Sequence, residues 1–120
     1  VGACTFMGTA STMQCMAEAL GLALPGSALV PATMSELQFF ARRAGRTIME
    51  LVRRNIRPID ILTPQAFRNA IIVHSAIGGS TNGLIHLPAI AKELGMELDP
   101  ELFNEINPKI PHIGNINPST

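Results

Sequence analysis

The stretch from Thr63 to Asn82 constrains the fold of this 120-residue chain more than any other. Thr63-Pro64 is a strong helix start, because a threonine hydroxyl can cap the first turn and proline fits the first helical position. The residues that follow, as far as Ile77, are apolar over more than half of the helix circumference. Such a helix has to be buried. We therefore predict a helix over 64–77 and expect it to be the most buried element.

The pentapeptide Gly78-Gly79-Ser80-Thr81-Asn82 interrupts this apolar run. Glycines end a helix and allow a sharp turn, and we expect Ser80 or Thr81 to cap a following helix over about 82–94. Free amides at the start of a helix also form a ready anion-binding site. The residues leave both interpretations open, a plain corner between helices and a ligand-binding turn. His74, in the helix before the turn, is expected to be a satisfied core or boundary histidine.

The opening stretch places one cysteine in a glycine-flanked segment that leads into a helix. Gly2 and Gly8 relieve steric limits on the backbone on either side of Cys4. Close to a helix N-terminus the macrodipole favours the thiolate, which is the form that binds metal or attacks carbon. A small, buried and inert cysteine is the alternative interpretation. The candidate caps of this first helix, expected over about 11–20 and ended by Gly21, are Thr9, Ser11 and Thr12.

A second helix is predicted from a capping box formed by Thr33 and Glu36 to about Arg54. Its apolar positions recur at helical spacing and are Leu37, Phe40, Ala41, Ala44, Ile48 and Leu51. Five arginines occupy its remaining surface, which is typical of a solvated face and less often of contact with an anion or a partner subunit. They are Arg42, Arg43, Arg46, Arg53 and Arg54.

The remaining segments are short. We expect 28–32 to be buried coil or an edge strand, 55–62 a connector, 99–106 a short fifth helix and the tail from Asn107 an extended surface run. Cys15, within the first helix, has no His or Cys at ligand spacing and is predicted to be a packed residue. The sequence thus predicts a mainly α chain of four to five helices, forming a single segment over 1–120.

Composition excludes several classes of function. Nine basic and nine acidic residues give a formal net charge of zero, which argues against nucleic acid as the main partner. Two cysteines make no disulfide framework, and no apolar run of about 18 residues could span a membrane. Without a signal-peptide pattern the expected location is the cytoplasm. Because the chain begins at Val1, already inside a motif, and stops in a loop, we expect it to be a piece of a larger protein.

Several motifs, each weak alone, together match one known family. They are Cys4-Thr5-Phe6-Met7-Gly8-Thr9-Ala10-Ser11-Thr12-Met13, Glu18-Ala19-Leu20-Gly21, Leu24-Pro25-Gly26-Ser27, Asp60-Ile61-Leu62-Thr63, Phe67 with Asn69-Ala70-Ile71, Ala76-Ile77-Gly78-Gly79-Ser80-Thr81-Asn82 and Leu87-Pro88-Ala89-Ile90-Ala91. On these residues the chain resembles the dihydroxy-acid dehydratase and sugar-acid (phosphogluconate-type) dehydratase family over essentially its whole length.

The resemblance implies a hydro-lyase that removes water from a 2,3-dihydroxy acid or sugar acid to give a 2-keto acid. It implies an iron–sulfur cluster (2Fe-2S or 4Fe-4S) as Lewis acid and a Mg²⁺ ion that holds the substrate. Cys4 matches one of three cluster cysteines. The other two, the Mg²⁺ ligands and the catalytic base belong to motifs that this sequence lacks, so the chain alone is expected to be inactive. By the same resemblance Thr5, Ser80, Thr81 and Asn82 are candidate substrate-binding residues.

The resemblance further implies that this segment belongs to a larger α/β N-terminal domain and that the parent enzyme is a homo-oligomer. The residues after Cys4 look more like those of the sugar-acid branch, since they lack the Gly-Gly pair that is usual in the branched-chain amino-acid enzymes. A non-catalytic helical module for packing or subunit contact is the second interpretation. A cysteine-nucleophile enzyme is a third, and it would need His74 or His112 as a base near Cys4.

Overall fold

The structure, a computed structural model, describes residues 6–99, 101–111 and 113. Within these residues the chain is mainly α-helical, with six helices and no strand, which confirms the predicted fold class. The helices are α1 (Thr9–Leu20), α2 (Glu36–Arg53), α3 (Pro58–Ile61), α4 (Pro64–Ile77), α5 (Asn82–Glu93) and α6 (Glu101–Ile106). Two 3₁₀ turns cover Ser27–Leu29 and Asn107–Lys109. None of the helices in the described part of the chain has the length and hydrophobicity needed to cross a bilayer.

Helix α4 lies at the centre, as predicted. Thr63 Oγ1 accepts the Ala66 amide at 3.2 Å, Pro64 occupies the first helical position, and Gly78 ends the helix with a left-handed φ of 62°. Helices α1, α5 and α6 all pack on α4. The core that they enclose consists of Met16, Leu20, Leu62, Ala66, Phe67, Ala70, Ile71, Leu87, Ala91, Phe103 and Ile106.

Both predictions of a hydroxyl cap next to this core were wrong. Helix α1 begins at Thr9 rather than Ser11, and its N-cap is Gly8, without a side-chain hydrogen bond. Helix α5 follows Thr81, which has helical backbone angles and makes no side-chain cap. Ser11 and Thr12 are turned into the protein instead. Their local sequence favours capping, but the Thr12 hydroxyl accepts from the distant Ser80 amide instead.

The capping box predicted at Thr33 is also absent, because α2 starts after Ser35 and has no side-chain cap. The apolar stripe of α2 buries no residue in this chain, although Phe40 and Leu51 are partly covered. The ring of Phe40 lies beside Gly26, where an added Cβ would be 3.7 Å from Phe40 Cζ. Helix α2 therefore lies along the edge of the core.

Three connecting segments differ from expectation. Residues 28–32 form neither an edge strand nor a continuous coil. A 3₁₀ turn over Ser27–Leu29 leads to the buried Val30. The expected connector at 55–62 contains α3, whose first turn is closed when the Arg57 amide donates to Asp60 Oδ2 at 2.8 Å. That hydrogen bond is the main reason why the pKa of the exposed Asp60 carboxyl is lowered. The expected extended tail begins with the 3₁₀ turn Asn107–Lys109.

Candidate functional site

The turn between α4 and α5 packs against the start of α1. The Ser80 amide donates to Thr12 Oγ1 at 3.1 Å, across 68 residues of sequence. The Thr12 hydroxyl in turn lies 3.5 Å from the carbonyl oxygen of Met7, to which it donates. Since Met7 is only three residues after Cys4, these bonds tie the segment that follows Cys4 to the Gly78–Asn82 turn.

His74 packs against the turn and hydrogen-bonds to its backbone. It is buried, with 7% of its surface exposed, and its Nε2 lies 2.8 Å from the carbonyl oxygen of Ser80. A carbonyl oxygen can only accept, so Nε2 carries the hydrogen and donates. Phe103 packs edge-on against the imidazole, with ring centroids 5.7 Å apart. The structure thus confirms the expectation of a satisfied core histidine, and it adds that the partner of this histidine is the turn itself.

Two glycines make room for the His74 ring. A Cβ built on Gly79 or on Gly83 would lie 2.6 Å from His74 Cδ2, a distance that real Cβ atoms do not reach. The backbone of the turn and the first turn of α5 therefore lie directly against the imidazole. A side chain at either glycine would require the ring to move.

The three candidate substrate-binding residues of the turn differ in exposure. Ser80 is 1% exposed, and its Oγ accepts from Asn82 Nδ2 at 3.3 Å. Asn82 is half-buried, and Thr81 is exposed. Gly83 and Leu84 donate to the carbonyls of Ser80 and Thr81, which places the amides of Thr81 and Asn82 ahead of the first hydrogen bonds of α5. Of the three candidate residues, Thr81 is the one whose side chain is open to solvent.

One further polar atom lies close to this site. Ser11, on the first turn of α1 and next to Thr12, is 8% exposed, and its Oγ is the buried side-chain oxygen without a partner among the described residues. A buried hydroxyl without a hydrogen bond is costly in free energy.

Cys4, Thr5 and His112 lie outside the described residues, so the predictions for them stay predictions. In the described ranges no group of three or more His, Cys, Asp or Glu side chains could hold a metal ion. His74, whose Nε2 hydrogen is committed to Ser80, is engaged in the turn rather than available as a base on that nitrogen.

Cys15 is partly buried and packs against the core, as expected for a structural residue. Burial, and to a lesser degree the charge of Glu18, raises the pKa of its thiol. A raised pKa keeps the thiol protonated near neutral pH, which is unfavourable for a metal ligand.

The sequence did not reveal Thr12 as a partner of the turn. Its position suggested a cap, and no local pattern indicates a contact with a residue 68 positions away. For His74, the sequence does contain a signal of its position. Gly79 and Gly83 both lie against its ring, and such a pair of glycines indicates a close neighbour rather than the end of a helix.

Comparisons with known proteins agree with the motifs. All 120 residues match the family described as "Dihydroxy-acid/6-phosphogluconate dehydratase N-terminal". Among curated relatives, dihydroxy-acid dehydratases of Halothermothrix orenii and Moorella thermoacetica are 49% and 51% identical over 118 residues. A third, from Renibacterium salmoninarum, is 52% identical over 117 residues. These alignments cover 98% of this chain and about a fifth of each relative. The chain therefore belongs to the dihydroxy-acid/6-phosphogluconate dehydratase family and matches its N-terminal region.

Proposed function

We propose that the protein of which this chain forms about a fifth is a hydro-lyase that converts a 2,3-dihydroxy acid to a 2-keto acid. Family membership over all 120 residues supports the reaction class. The names of the relatives favour a dihydroxy acid over the sugar acid that the residues after Cys4 suggest. The observation that carries the proposal at residue level is the hydrogen bond between Thr12 and Ser80, because it brings the segment after Cys4 next to the turn.

In this proposal Cys4 contributes one of three thiolates to an iron–sulfur cluster, and Mg²⁺ is held by residues outside the chain. When bound, the cluster supplies an open iron that acts as Lewis acid on the departing hydroxyl. The contribution of this chain is binding and orientation. In this proposal the exposed Thr81 hydroxyl and the amides at the start of α5 donate to an anionic or hydroxyl group of the substrate. The proposed location is the cytoplasm.

The substrate contact is tested by Thr81→Ala in the full-length protein, purified anaerobically. Thr81 makes no cap hydrogen bond, so its loss should hardly change the melting temperature. As a lost substrate contact it should lower kcat/KM by about tenfold or more. Ser80→Ala is the matched comparison, because this buried hydroxyl bonds to Asn82 and should affect stability first. A normal kcat/KM in both variants would show that the turn only connects α4 and α5 and does not bind the substrate.

The substrate class is tested by assaying the same protein with a panel of 2,3-dihydroxy acids and sugar acids. The proposal expects the highest kcat/KM with a branched 2,3-dihydroxy acid. A strong preference for a sugar acid would overturn this choice of branch and leave the hydro-lyase assignment intact. No 2-keto acid from any member of the panel, with the cluster loaded, would overturn both.

A second candidate function is subunit contact through α2, in a homo-oligomer. It is favoured by apolar side chains that this chain leaves exposed along the helix, among them Leu37, Ile48 and Val52. A groove of about 520 Å³ separates Ile48 and Leu51 from the segment after α1. Its walls are mostly apolar, whereas a purely solvated helix face would be polar.

Ile48→Glu in the full-length protein tests this second function by analytical ultracentrifugation. A charge placed in a subunit interface should dissociate the oligomer, whereas Gln38→Glu, at an exposed polar position of the same helix, should leave it intact. An intact oligomer with a lower melting temperature would mean that α2 packs inside the parent protein instead. An intact oligomer with an unchanged melting temperature would rule out both roles.

A further inference from the structure

The two peptide groups on either side of Ser80 are held by side chains of α1 and α4. The Ser80 amide donates to Thr12 of α1 and the Ser80 carbonyl oxygen accepts from His74 of α4. Both partners are almost completely shielded from solvent, with Thr12 0% and His74 7% exposed. Water cannot readily replace a hydrogen bond at such a site, so loss of the Thr12 hydroxyl would leave the Ser80 amide unsatisfied. Loss of the His74 donor would leave the Ser80 carbonyl with the Gly83 amide alone. Thr12 and His74 therefore hold the backbone on the two sides of Ser80.

We infer that Thr12 and His74 are positioning residues that fix the backbone on the two sides of Ser80 and thereby the exposed Thr81 at the start of α5. The inference rests on the proposed function, in which Thr81 contacts the substrate. Neither side chain touches the ligand in this account. Each acts through the backbone of Ser80, whose hydrogen bonds to Thr12 and His74 help to determine where the next residue points.

The role of His74 depends on a donor and not only on volume. Gly79 and Gly83 lie against the ring so closely that either Cβ would be 2.6 Å from Cδ2. A flexible apolar side chain of similar length could fill this space, but it would leave the Ser80 carbonyl without the Nε2 hydrogen. If only the volume of the side chain matters, an apolar side chain of similar length should be tolerated at position 74. If the donor matters, only a side chain with an N–H should be tolerated.

The role of Thr12 depends on its hydroxyl in the same way. The oxygen accepts from Ser80 and the hydrogen is directed to the Met7 carbonyl, so both functions of one hydroxyl are used. Met7, Thr12, Ser80 and His74 thus form a continuous hydrogen-bonded chain from the segment after Cys4 to α4. Displacement of a bound group by about 1 Å can cost about a hundredfold in rate, so such a chain can matter without ligand contact.

The test compares conservative and disruptive variants of the full-length, cluster-loaded protein. His74→Gln keeps an N–H at the reach of Nε2, whereas His74→Met keeps only the length. Thr12→Ser keeps the hydroxyl, whereas Thr12→Val keeps only the shape. We expect His74→Met and Thr12→Val to lower kcat/KM by about tenfold or more, mainly through KM, and the conservative pair to stay within about threefold of wild type.

The double variant His74→Met with Thr12→Val should lose little more than either single variant, because both release the backbone at the same residue, Ser80. Ile71→Val is the matched control, since it truncates a fully buried side chain on the same helix. It should lower the melting temperature and leave kcat/KM unchanged. Should the disruptive variants fail to fold, His74→Asn, whose amide falls short of the Ser80 carbonyl, replaces them in the comparison with His74→Gln.

A second readout is independent of turnover. In hydrogen–deuterium exchange of the substrate-free protein, Thr12→Val should add about one rapidly exchanging amide to peptides covering 79–83, and Thr12→Ser should add none. Equal kinetic losses in His74→Gln and His74→Met, or wild-type kinetics in His74→Met and Thr12→Val, would overturn the inference. If the wild-type protein dehydrates none of the substrates, the proposed function fails, and the exchange experiment still decides whether Thr12 holds the Ser80 amide.

Discussion

At the scale of single residues, the His74 ring determines which positions around it must be glycine. In most helices an alanine is more stable than a glycine by about 1 kcal/mol. Gly83 lies in α5, yet a Cβ there would approach His74 Cδ2 to 2.6 Å. Gly45 lies in α2, where the same Cβ meets no atom within 4 Å. The two glycines therefore make a matched pair with opposite expectations.

We predict that Gly83→Ala lowers the free energy of unfolding by about 1–3 kcal/mol, as overpacking of a core does. Gly45→Ala should raise it by about 0.5–1 kcal/mol. Urea denaturation of the full-length protein measures both. In a His74→Ala background the cost of Gly83→Ala should disappear, because the clash is with the ring. A cost that persists there would show that the glycine serves another contact.

At the scale of the elements, the sequence predicts helices whose end signals are local and misplaces caps whose partners are distant. The end signals of α4 each act within one turn of the end that they mark. The helix begins at Thr63 and Pro64 and ends at Gly78, as predicted. Thr12 resembles a cap equally well, but it bonds to Ser80 instead. The sequence predicts the turn at Gly78–Asn82 as a candidate site. It does not predict the hydrogen bonds that Thr12 and His74 make to this turn, because they depend on tertiary packing that no local pattern encodes.

The N-terminus of α4 offers a direct test of this distinction. Thr63→Ala removes a hydroxyl that accepts the Ala66 amide, and it should cost about 1 kcal/mol of stability. Thr33→Ala, at the capping box that the structure lacks, should change stability by less than about 0.5 kcal/mol. Thermal unfolding followed by circular dichroism measures both changes. Equal losses at the two threonines would contradict the assignment of the caps.

At the scale of the whole molecule, the described residues form a flat body with extents of 40 × 36 × 20 Å. They include the contact between α1 and the α4–α5 turn and the exposed apolar positions of α2. The sequence predicted this stripe of α2 correctly as a pattern but not its exposure, because periodicity shows that a face is apolar and not which partner covers it. The chain spans about a fifth of the length of the relatives it matches.

We propose that this chain supplies a cluster ligand, Cys4, to a dehydratase, and that Cys15 is only a packed residue. The most direct test is the iron and sulfide content of the full-length protein purified anaerobically, for wild type, Cys4→Ser and Cys15→Ser. We predict that Cys4→Ser loses iron, visible absorbance and dehydratase activity together. Cys15→Ser, at a thiol whose pKa is raised by burial, should keep all three. Full iron content in Cys4→Ser, or loss of iron in Cys15→Ser alone, would contradict this proposal.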